Sequence, residues 1–314
     1  MYIIVFKQLV IMLVICVLSF GFSKRNKFSG RETSFLSRLL LYFVNPCLIL
    51  NSFNMAYSRE KLVQLLFVIV VCAVLHLLFT VIVLLTLNSH TEEGKALDGL
   101  ERIGVVFTNC GFIGIPLING VFGTGGVFYL MGYLAVFNIY LWMFGEYQMS
   151  RRFNLKKVLT NPNVLAVLAG IVLFCMPFTL PELISKPLGY ISEMNTALSM
   201  TLLGMLFACF KKTGSVSYTK RVVWVALLRL VVSSLVSLAL LYFIARLFPR
   251  LPNLREMLFV IYIASLCPIG MSVSTFACVF GKDASYAGLM VSVTSVCCII
   301  TVPAFVKLAE LLLP

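Results

Sequence analysis

The chain has 314 residues, of which 61% are hydrophobic and 12% are charged, with a formal net charge of +13 at pH 7. Soluble domains are about 45–50% apolar and about 25% charged, so this composition excludes an ordinary soluble fold. The basic residues stand in short clusters between long apolar runs and form no basic helix face, which excludes a nucleic-acid-binding surface. The composition predicts an integral membrane protein surrounded by a lipid bilayer.

Ten apolar runs follow one another along the chain, each near the length of about 20 residues that crosses a bilayer as a helix. The first, 3–22, lacks a signal-peptidase site and is followed by Lys24, Arg25 and Lys27, so we interpret it as a retained helix. The other runs fall at 34–54, 62–87, 102–122, 126–147, 162–178, 190–210, 222–245, 257–280 and 284–309. We predict an all-α integral membrane protein with ten transmembrane helices.

The orientation follows from the Lys and Arg residues of the connections, which are enriched on the cytoplasmic side. The odd-numbered connections carry fifteen of them: Lys24, Arg25, Lys27, Arg31, Lys95, Arg102, Arg151, Arg152, Lys156, Lys157, Lys211, Lys212, Lys220, Arg221 and Lys282. The even-numbered connections carry six: Arg59, Lys61, Lys186, Arg246, Arg250 and Arg255. We therefore predict a multi-pass protein of the cell membrane with cytoplasmic odd connections and both termini extracytoplasmic.

Each half of the chain holds five runs, and an odd number of spans places the second half upside down relative to the first. The tripeptide Val-Phe-Gly follows the fourth run at 121–123 and the ninth run at 279–281, the same place in both halves. The pattern predicts two inverted five-helix repeats, residues 1–150 and 151–314.

The fourth run contains Gly111, Gly114 and Pro116 close together. Glycine lowers helix propensity and proline removes a backbone N–H donor, so the helix is expected to break in mid-membrane. Pro268 and Gly270 interrupt the ninth run in the same way. Such residues also form plain kinks or close-packing positions, and for a single segment that interpretation is sufficient.

Two interruptions in corresponding runs favour a binding site instead. Irregular backbone at membrane depth is tolerated where it lines a cavity, and paired interruptions mark the substrate site of many transporters. Asn109 stands beside the first interruption, and Ser272 follows the second with Ser274 and Thr275. We expect half-helices to begin at 113–116 and at 269–271, where their free N–H groups and partial positive charge favour an anion.

At these positions the chain resembles the auxin efflux carrier family, which contains plant auxin exporters and bacterial permeases for malate and related acids. The most specific match is the string Asn-Cys-Gly-Phe-Ile-Gly-Ile-Pro-Leu at 109–117, and supporting matches extend over the whole length. The supporting residues include Asn45, Pro46, Asn138, Asn161, Pro162, Gly170, Gly204, Arg229, Pro268, Gly281, Asp283 and Pro303.

The resemblance implies ten helices in two inverted repeats, with a scaffold part, a transport part, outward-facing termini, and broken helices 4 and 9 that cross. It also implies a homodimer formed through the scaffold helices. The chain departs from many bacterial relatives at Ser272, where they carry asparagine, and at Ala197, where they carry proline. The first departure changes the polar side chain of the second half-site.

Further polar residues lie within the apolar runs, among them one asparagine, one histidine and two arginines. Asn138 is expected either to hydrogen-bond a neighbouring helix or to face a cavity, and the resemblance favours the cavity. His76 is expected to pack against a neighbouring helix rather than to relay protons. Arg38 and Arg229 are expected to extend toward the nearby cytoplasmic ends of their helices.

The sequence argues against several other functions. No acidic residue lies centrally in any run, which disfavours a carboxylate-based Na⁺ site and an aspartyl intramembrane protease. No HExxH, GxSxG or P-loop string is present, so we predict neither an enzyme nor an ATP-driven pump. The ten cysteines lie in apolar runs without a CxxC pair, as reduced packing residues do. We expect no cofactor, no metal ion and no nucleic-acid partner.

The predicted function is secondary transport of a small organic anion, an auxin- or malate-like carboxylate, by alternating access. The alternatives are a carrier of a neutral or cationic solute, a cation-coupled symporter on a bile-acid-symporter-like scaffold, and a membrane sensor that does not transport. The residues expected to bind substrate are Asn109, Cys110, Gly111, Gly114, Pro116, Asn138, Pro268, Gly270, Ser272, Ser274 and Thr275.

Overall fold

The structure is a computed structural model that describes residues 1–28, 30–150, 160–209 and 216–313. Throughout these ranges the regular secondary structure is helical, and extended backbone pairs at one isolated antiparallel bridge, between Thr108 and Ile269. The all-α class is thereby confirmed for the described part of the chain. The basic residues at 151–157 and 211–212, which contribute to the predicted orientation, lie outside the described residues.

The helices of the first half are in part joined end to end by π-helical turns, which are wider than an α-helical turn by one residue. The α-helices are α1 (Tyr2–Arg25), α2 (Gly30–Leu39), α3 (Asn45–Phe53), α4 (Arg59–Thr86), α5 (Glu92–Val106), α6 (Ile115–Tyr140) and α7 (Glu146–Ser150). The π-helical turns are Leu40–Val44 between α2 and α3, Cys110–Gly114 before α6, and Leu141–Gly145 between α6 and α7.

The second half likewise consists of α-helices, two of which are joined by a π-helical turn. Its α-helices are α8 (Pro162–Cys175), α9 (Glu182–Cys209), α10 (Val216–Leu227), α11 (Ser233–Leu247), α12 (Leu254–Leu266), α13 (Ser272–Val279) and α14 (Ala284–Leu312). A π-helical turn (Leu228–Val232) joins α10 to α11. Each of the predicted apolar runs overlaps at least one of the described helices.

Six described segments are long and apolar enough to cross a membrane as they stand. They are Tyr2–Arg25, Arg31–Phe53, Arg59–Thr86, Cys110–Ser150, Thr219–Leu247 and Ala284–Leu312. The apolar helix α8 is shorter, and α12 and α13 are separated by a break. Large apolar side chains on the outside of the bundle, such as Leu85 and Ile300, suit contact with lipid. The chain is a multi-pass membrane protein, and the number of ten crossings stays a prediction.

The two Val-Phe-Gly tripeptides both end in a glycine with a positive φ. Gly123 has a φ of 63° and Gly281 a φ of 62°, in the left-handed region that residues with a Cβ rarely adopt. Gly123 interrupts α6, and Gly281 lies in the turn between α13 and α14. The similarity of the two tripeptides therefore extends from sequence to local structure.

The first interruption lies earlier than predicted. α5 ends at Val106 and helical structure resumes at Cys110, so the expected start of the half-helix at 113–116 is wrong by about one turn. The reason is the π-helical turn, in which the Ile115 N–H donates to the Cys110 carbonyl oxygen. Pro116 follows that wider turn at the second position of α6, where its ring and its missing N–H are tolerated without a break.

The helix predicted to be retained, α1, packs along α9 and α14. A Cβ added to Gly204 of α9 would lie 2.2 Å from the Cys16 carbonyl oxygen of α1, so glycine is needed for this close approach. α1 is therefore an integral part of the helical bundle.

Candidate functional site

Two short extended segments interrupt the broken helices. In the first, Phe107 donates its N–H to the Ile103 carbonyl at 2.9 Å, which completes the last turn of α5, and the chain runs extended to Asn109. In the second, α12 ends at Leu266 and Pro268, which has no N–H to donate, precedes the start of α13. Both breaks predicted from glycine and proline are therefore present in the structure.

The two breaks lie against each other and supply each other's backbone partners. The Asn109 N–H donates to the Pro268 carbonyl oxygen at 2.7 Å, and the Gly270 N–H donates to the Phe107 carbonyl oxygen at 2.9 Å. A Cβ on Gly270 would lie 2.8 Å from the Thr108 carbonyl oxygen, so only glycine allows this approach. Backbone groups that lose their helical partners at the breaks are thereby satisfied inside the bundle.

A cavity of about 670 Å³ extends from this crossing toward one end of the bundle. Its inner end includes Asn109 and Asn45, which are 2% and 4% exposed, whereas Arg38 and Val279 at its other end are exposed. Arg38 follows the first connection of the chain and Val279 precedes the ninth. The cavity therefore opens at the end of the bundle where the odd-numbered connections lie.

The cavity brings together most of the predicted substrate-binding residues. Its lining contains Asn109, Gly111, Asn138, Gly270, Ser272, Ser274 and Thr275. These residues come from both broken helices and from the second part of α6, so the two halves of the chain share one cavity. The Asn138 side chain also donates to the Leu134 carbonyl oxygen at 2.7 Å.

Four predicted residues do not line the cavity. Cys110 and Gly114 face the second break, because a Cβ on Gly114 would lie 3.2 Å from the Cys110 Cβ and 3.4 Å from the Cys267 Sγ. The carbonyl oxygen of Pro116 faces α1 and accepts a hydrogen bond from Gln8 at 3.4 Å. The carbonyl oxygen of Pro268 is bound to Asn109. Cys110, Gly114 and Pro268 thus lie at the crossing and Pro116 faces α1, and none of the four contributes to the cavity wall.

Several polar residues of the cavity wall are absent from the predicted set. They include Ser34, Ser37, Arg38, Asn45, Asn161 and Asn163. Four of the six belong to one helical segment, and the spacing of Ser34, Arg38 and Asn45 by four and then seven residues places them on one helix face. This polar face within an otherwise apolar run is the sequence signal that could have identified them.

Four buried polar atoms of the cavity wall have no hydrogen-bond partner among the described residues: Thr108 Oγ1, Asn109 Nδ2, Ser272 Oγ and Asn163 Oδ1. The first three belong to the two broken segments, and we call these three residues the polar rim. A buried polar group without a partner costs about 1–3 kcal/mol, so native proteins rarely retain one without a ligand or water to satisfy it. By contrast, the Asn45 Oδ1 accepts a hydrogen bond from Asn195 at 2.8 Å.

The two arginines of the apolar runs differ from expectation and from each other. Arg38 is exposed at the cavity mouth and makes no hydrogen bond or ion pair within the described part of the chain. Arg229 is 0% exposed, so the prediction that it extends to the cytoplasmic surface is wrong. Its guanidinium donates to the Val105 carbonyl oxygen at 2.7 Å and to the Ser265 carbonyl oxygen, both close to the breaks. These hydrogen bonds hold the Arg229 side chain inside the bundle instead of at the cytoplasmic surface.

A charged cluster joins α5, α10 and α14 at the end of the bundle that carries the odd connections. Arg221 donates to Glu101 at 2.7 Å and to Asp98 at 2.9 Å, and Ser89 and Tyr286 complete the cluster. Burial by itself raises the pKa of Asp98, but hydrogen bonds from Ser89 and the Arg221 guanidinium outweigh it and hold that pKa below its ordinary value.

The comparisons with known proteins agree with this architecture. A family model described as membrane transport protein matches residues 4–152 and 147–306, which together cover nearly the whole chain. No curated protein gives a significant match. The match includes both breaks, the charged cluster and the residues that line the cavity. The chain belongs to the auxin efflux carrier family of membrane transporters.

Proposed function

We propose that this protein is a secondary transporter that moves a small organic anion across the cell membrane by alternating access. The observation that carries the proposal is the cavity of about 670 Å³ that ends on the polar rim. Small-molecule sites in proteins have volumes of about 300–1,000 Å³ and a few convergent polar groups, and this cavity fits both criteria. A carboxylate at the inner end would supply the acceptors that Asn109 Nδ2 and Ser272 Oγ lack.

The charge of the cavity favours an anion over a neutral or cationic solute. α13 begins at Ser272 in the cavity wall, and the π-helical turn before α6 begins at Cys110, next to Gly111 in the same wall. The first N–H groups of a helix have no partner within the helix and carry partial positive charge. Arg38 adds a full positive charge at the mouth. These groups attract a carboxylate without holding it in a buried ion pair.

Two features support the proposed arrangement of ten helices in two inverted repeats. Both broken helices are followed by a Val-Phe-Gly turn whose glycine has a φ near +60°, and each break supplies backbone partners to the other. An inverted repeat would generate such a pair of crossing breaks from one ancestral unit. The division into residues 1–150 and 151–314, and the homodimer, remain part of this proposal.

The position of the cavity supports a proposal for the state of the transport cycle. Its mouth lies at the odd-numbered connections, which the Lys and Arg distribution assigns to the cytoplasm. At the opposite end, Phe128 packs between Phe53 and Phe174, with ring centroids 5.5 and 5.4 Å away. We infer an inward-open state that this aromatic cluster closes toward the outside, with both termini extracytoplasmic.

A thermal-shift screen of the purified protein tests the anion hypothesis. Mono- and dicarboxylates are compared with their neutral amides, and a ligand at about 100 times its Kd adds about 2.7 kcal/mol of stability. We expect at least one acid to raise the Tm and its amide to have little effect. If the amide raises the Tm as much as the acid, the cavity serves a neutral solute.

Two native cysteines test the orientation. Cys278 lines the cavity and is exposed, whereas Cys175 is exposed at the other end of the bundle, where α8 ends. In variants that retain one of them, an impermeant maleimide should label Cys175 in intact cells and Cys278 in inside-out vesicles. A bound acid should slow the labelling of Cys278 alone. Labelling of both from the same side would contradict the topology.

A further inference from the structure

The Arg229 guanidinium lies where two helices end. α5 ends at Val106 and α12 ends at Leu266, and the guanidinium binds the Val105 and Ser265 carbonyl oxygens of these last turns. Carbonyl groups at the end of a helix have no partner within it and carry a partial negative charge. Two such ends brought together by the crossing repel each other, and a cation placed between them removes the repulsion.

The positive charge of Arg229 is stabilised by its surroundings although no carboxylate among the described residues pairs with it. Its side chain is 0% exposed, and it forms no ion pair with an acidic residue within the described ranges. The guanidinium lies 5.3 Å from the centre of the Phe79 ring, a favourable cation–π distance. The carbonyl dipoles of two helices and one aromatic face therefore stabilise the buried charge.

Carbonyl groups at the ends of broken helices are also the groups that hold a coupling Na⁺ in many transporters. In this protein a covalently attached cation already occupies the space between them. A metal ion at the same carbonyls would be repelled by the guanidinium and would lose the ligands that Arg229 uses.

We propose that Arg229 is a resident cation that takes the place of a coupling metal ion between the two broken helices. The positive charge it supplies behind the polar rim is permanent, so the crossing keeps its geometry and the anion binds without an alkali metal ion. Arg229 is thus a positioning residue and does not contact the substrate. The binding and transport consequences rest on the function proposed above, whereas the effect on the stability of the empty protein does not.

The test measures how the purified protein and its variants respond to cations. For the unaltered protein we expect the same Tm, and the same binding of any acid found in the screen, in sodium chloride and in choline chloride. Arg229→Ala should lower the Tm on the order of 5–10 °C. Millimolar guanidinium or Na⁺ should restore it in a saturable manner, while choline, which is too large for the space, should not.

Three further variants complete the design. Arg229→Lys keeps the charge and should retain most of the Tm, and Arg229→Gln keeps the length but not the charge and should behave like the alanine variant. Arg246→Ala is the matched control, because Arg246 lies on the adjoining α11, is exposed, and interacts with Tyr242 of its own helix. It should show no response to guanidinium.

Two results would overturn the proposal: a requirement of the unaltered protein for Na⁺, or an Arg229→Gln protein with unchanged Tm and no response to guanidinium. If Arg229→Ala does not fold, the lysine and glutamine variants decide the question. These results do not depend on a substrate. A failure of the anion hypothesis would instead appear as the absence of any acid that shifts the Tm of the unaltered protein.

Discussion

The charged cluster and the polar rim both include buried polar side chains of the first broken helix, yet the hydrogen-bonding groups of the two regions are satisfied to different degrees. In the charged cluster, Arg221 donates to Glu101 and Asp98, and Asp98 also accepts hydrogen bonds from Ser89 at 2.5 and 2.8 Å. In the polar rim, one side-chain atom of each of the three residues lacks a partner among the described residues. The two regions share the first broken helix, while Arg221, Tyr286 and Ser272 come from other helices.

This difference separates two roles for buried polarity. A network whose members satisfy one another stabilises the fold, and breaking it leaves a buried charge without compensation. Polar groups left without a partner lower the stability of the empty protein, and they are satisfied when a ligand binds. The charged cluster is therefore expected to determine stability, and the polar rim to determine affinity.

The largest effect is expected from Arg221→Ala. The substitution leaves Glu101, 2% exposed, without the cation it binds, and it leaves Asp98, 8% exposed, with Arg102 at 4.0 Å as its remaining cation among the described residues. We expect a loss of about 3 kcal/mol in the free energy of unfolding, the lower end for a buried pair because the Arg221 side chain is 26% exposed. Unfolding in detergent measures it, and Lys282→Ala, at an exposed basic residue outside the cluster, is the control. If the Arg221→Ala protein is as stable as the unaltered protein, the charged cluster does not determine stability.

The opposite pattern is expected from Asn109→Ala. The substitution removes the Asn109 Nδ2, which has no partner among the described residues, so the stability of the empty protein should stay the same or rise. Binding of the acid should weaken by about 1–3 kcal/mol, roughly 5- to 150-fold in Kd. Ser272→Ala should behave in the same way. Asn119→Ala, on the same broken helix but exposed and outside the cavity wall, is the control. An unchanged Kd at equal folded yield would assign Asn109 to packing.

A smaller effect is expected from Arg38→Gln. An exposed charge at the cavity mouth accelerates the arrival of an anion but is screened by salt. We expect the apparent Kd to rise about two- to five-fold at low ionic strength and to match that of the unaltered protein near 1 M salt. Arg246→Ala serves again as the control. A defect that persists at high salt would indicate direct contact with the substrate.

The mildest perturbation is a change of pH. The folded protein holds the pKa of Asp98 below its ordinary value, so ionised Asp98 contributes to the free energy of unfolding. This contribution is complete above the pKa of about 4 that Asp98 has in the unfolded chain, and it is lost as the pH falls through the pKa of Asp98 in the folded protein. Unfolding measured between neutral and acidic pH should show this decline, and Asp98→Asn should reduce it. An equal acid response in both proteins would mean that other carboxylates dominate.

Much of the fold was accessible from the sequence, because each apolar run is long and lipid leaves the backbone no alternative to helices. The second break was placed correctly because Pro268 and Gly270 stand at the break itself. The first was misplaced because Pro116 is the most visible helix breaker nearby, while a π-helical turn accommodates it and the chain opens at Phe107. No periodicity in the sequence marks a π-helical turn.

The sequence predicted the site residues that belong to the broken segments, but not those that reach the cavity from helices elsewhere in the chain. Asn109 and Ser272 belong to the broken segments, and both line the cavity. Asn45 and Asn161 reach the cavity from other helices, and their participation depends on how those helices pack. The burial of Arg229 could not be inferred either, since its partners are backbone carbonyls, which every residue carries.

The bridge between Thr108 and Ile269 joins segments that are synthesised far apart in time. Ribosomes add residues from the N-terminus at about 5–20 per second, so α1 to α11 are complete while the first break still lacks the partners that the second supplies. During this interval the Asn109 N–H and the Phe107 carbonyl must be held by water, lipid headgroups or the insertion machinery. The substrate site is thus among the last parts of the molecule to form. A chain that stops before α12 carries most of the helices but lacks the second break, so its binding site cannot form. Chains in which synthesis stops at this stage are therefore the ones that cellular quality control has to remove.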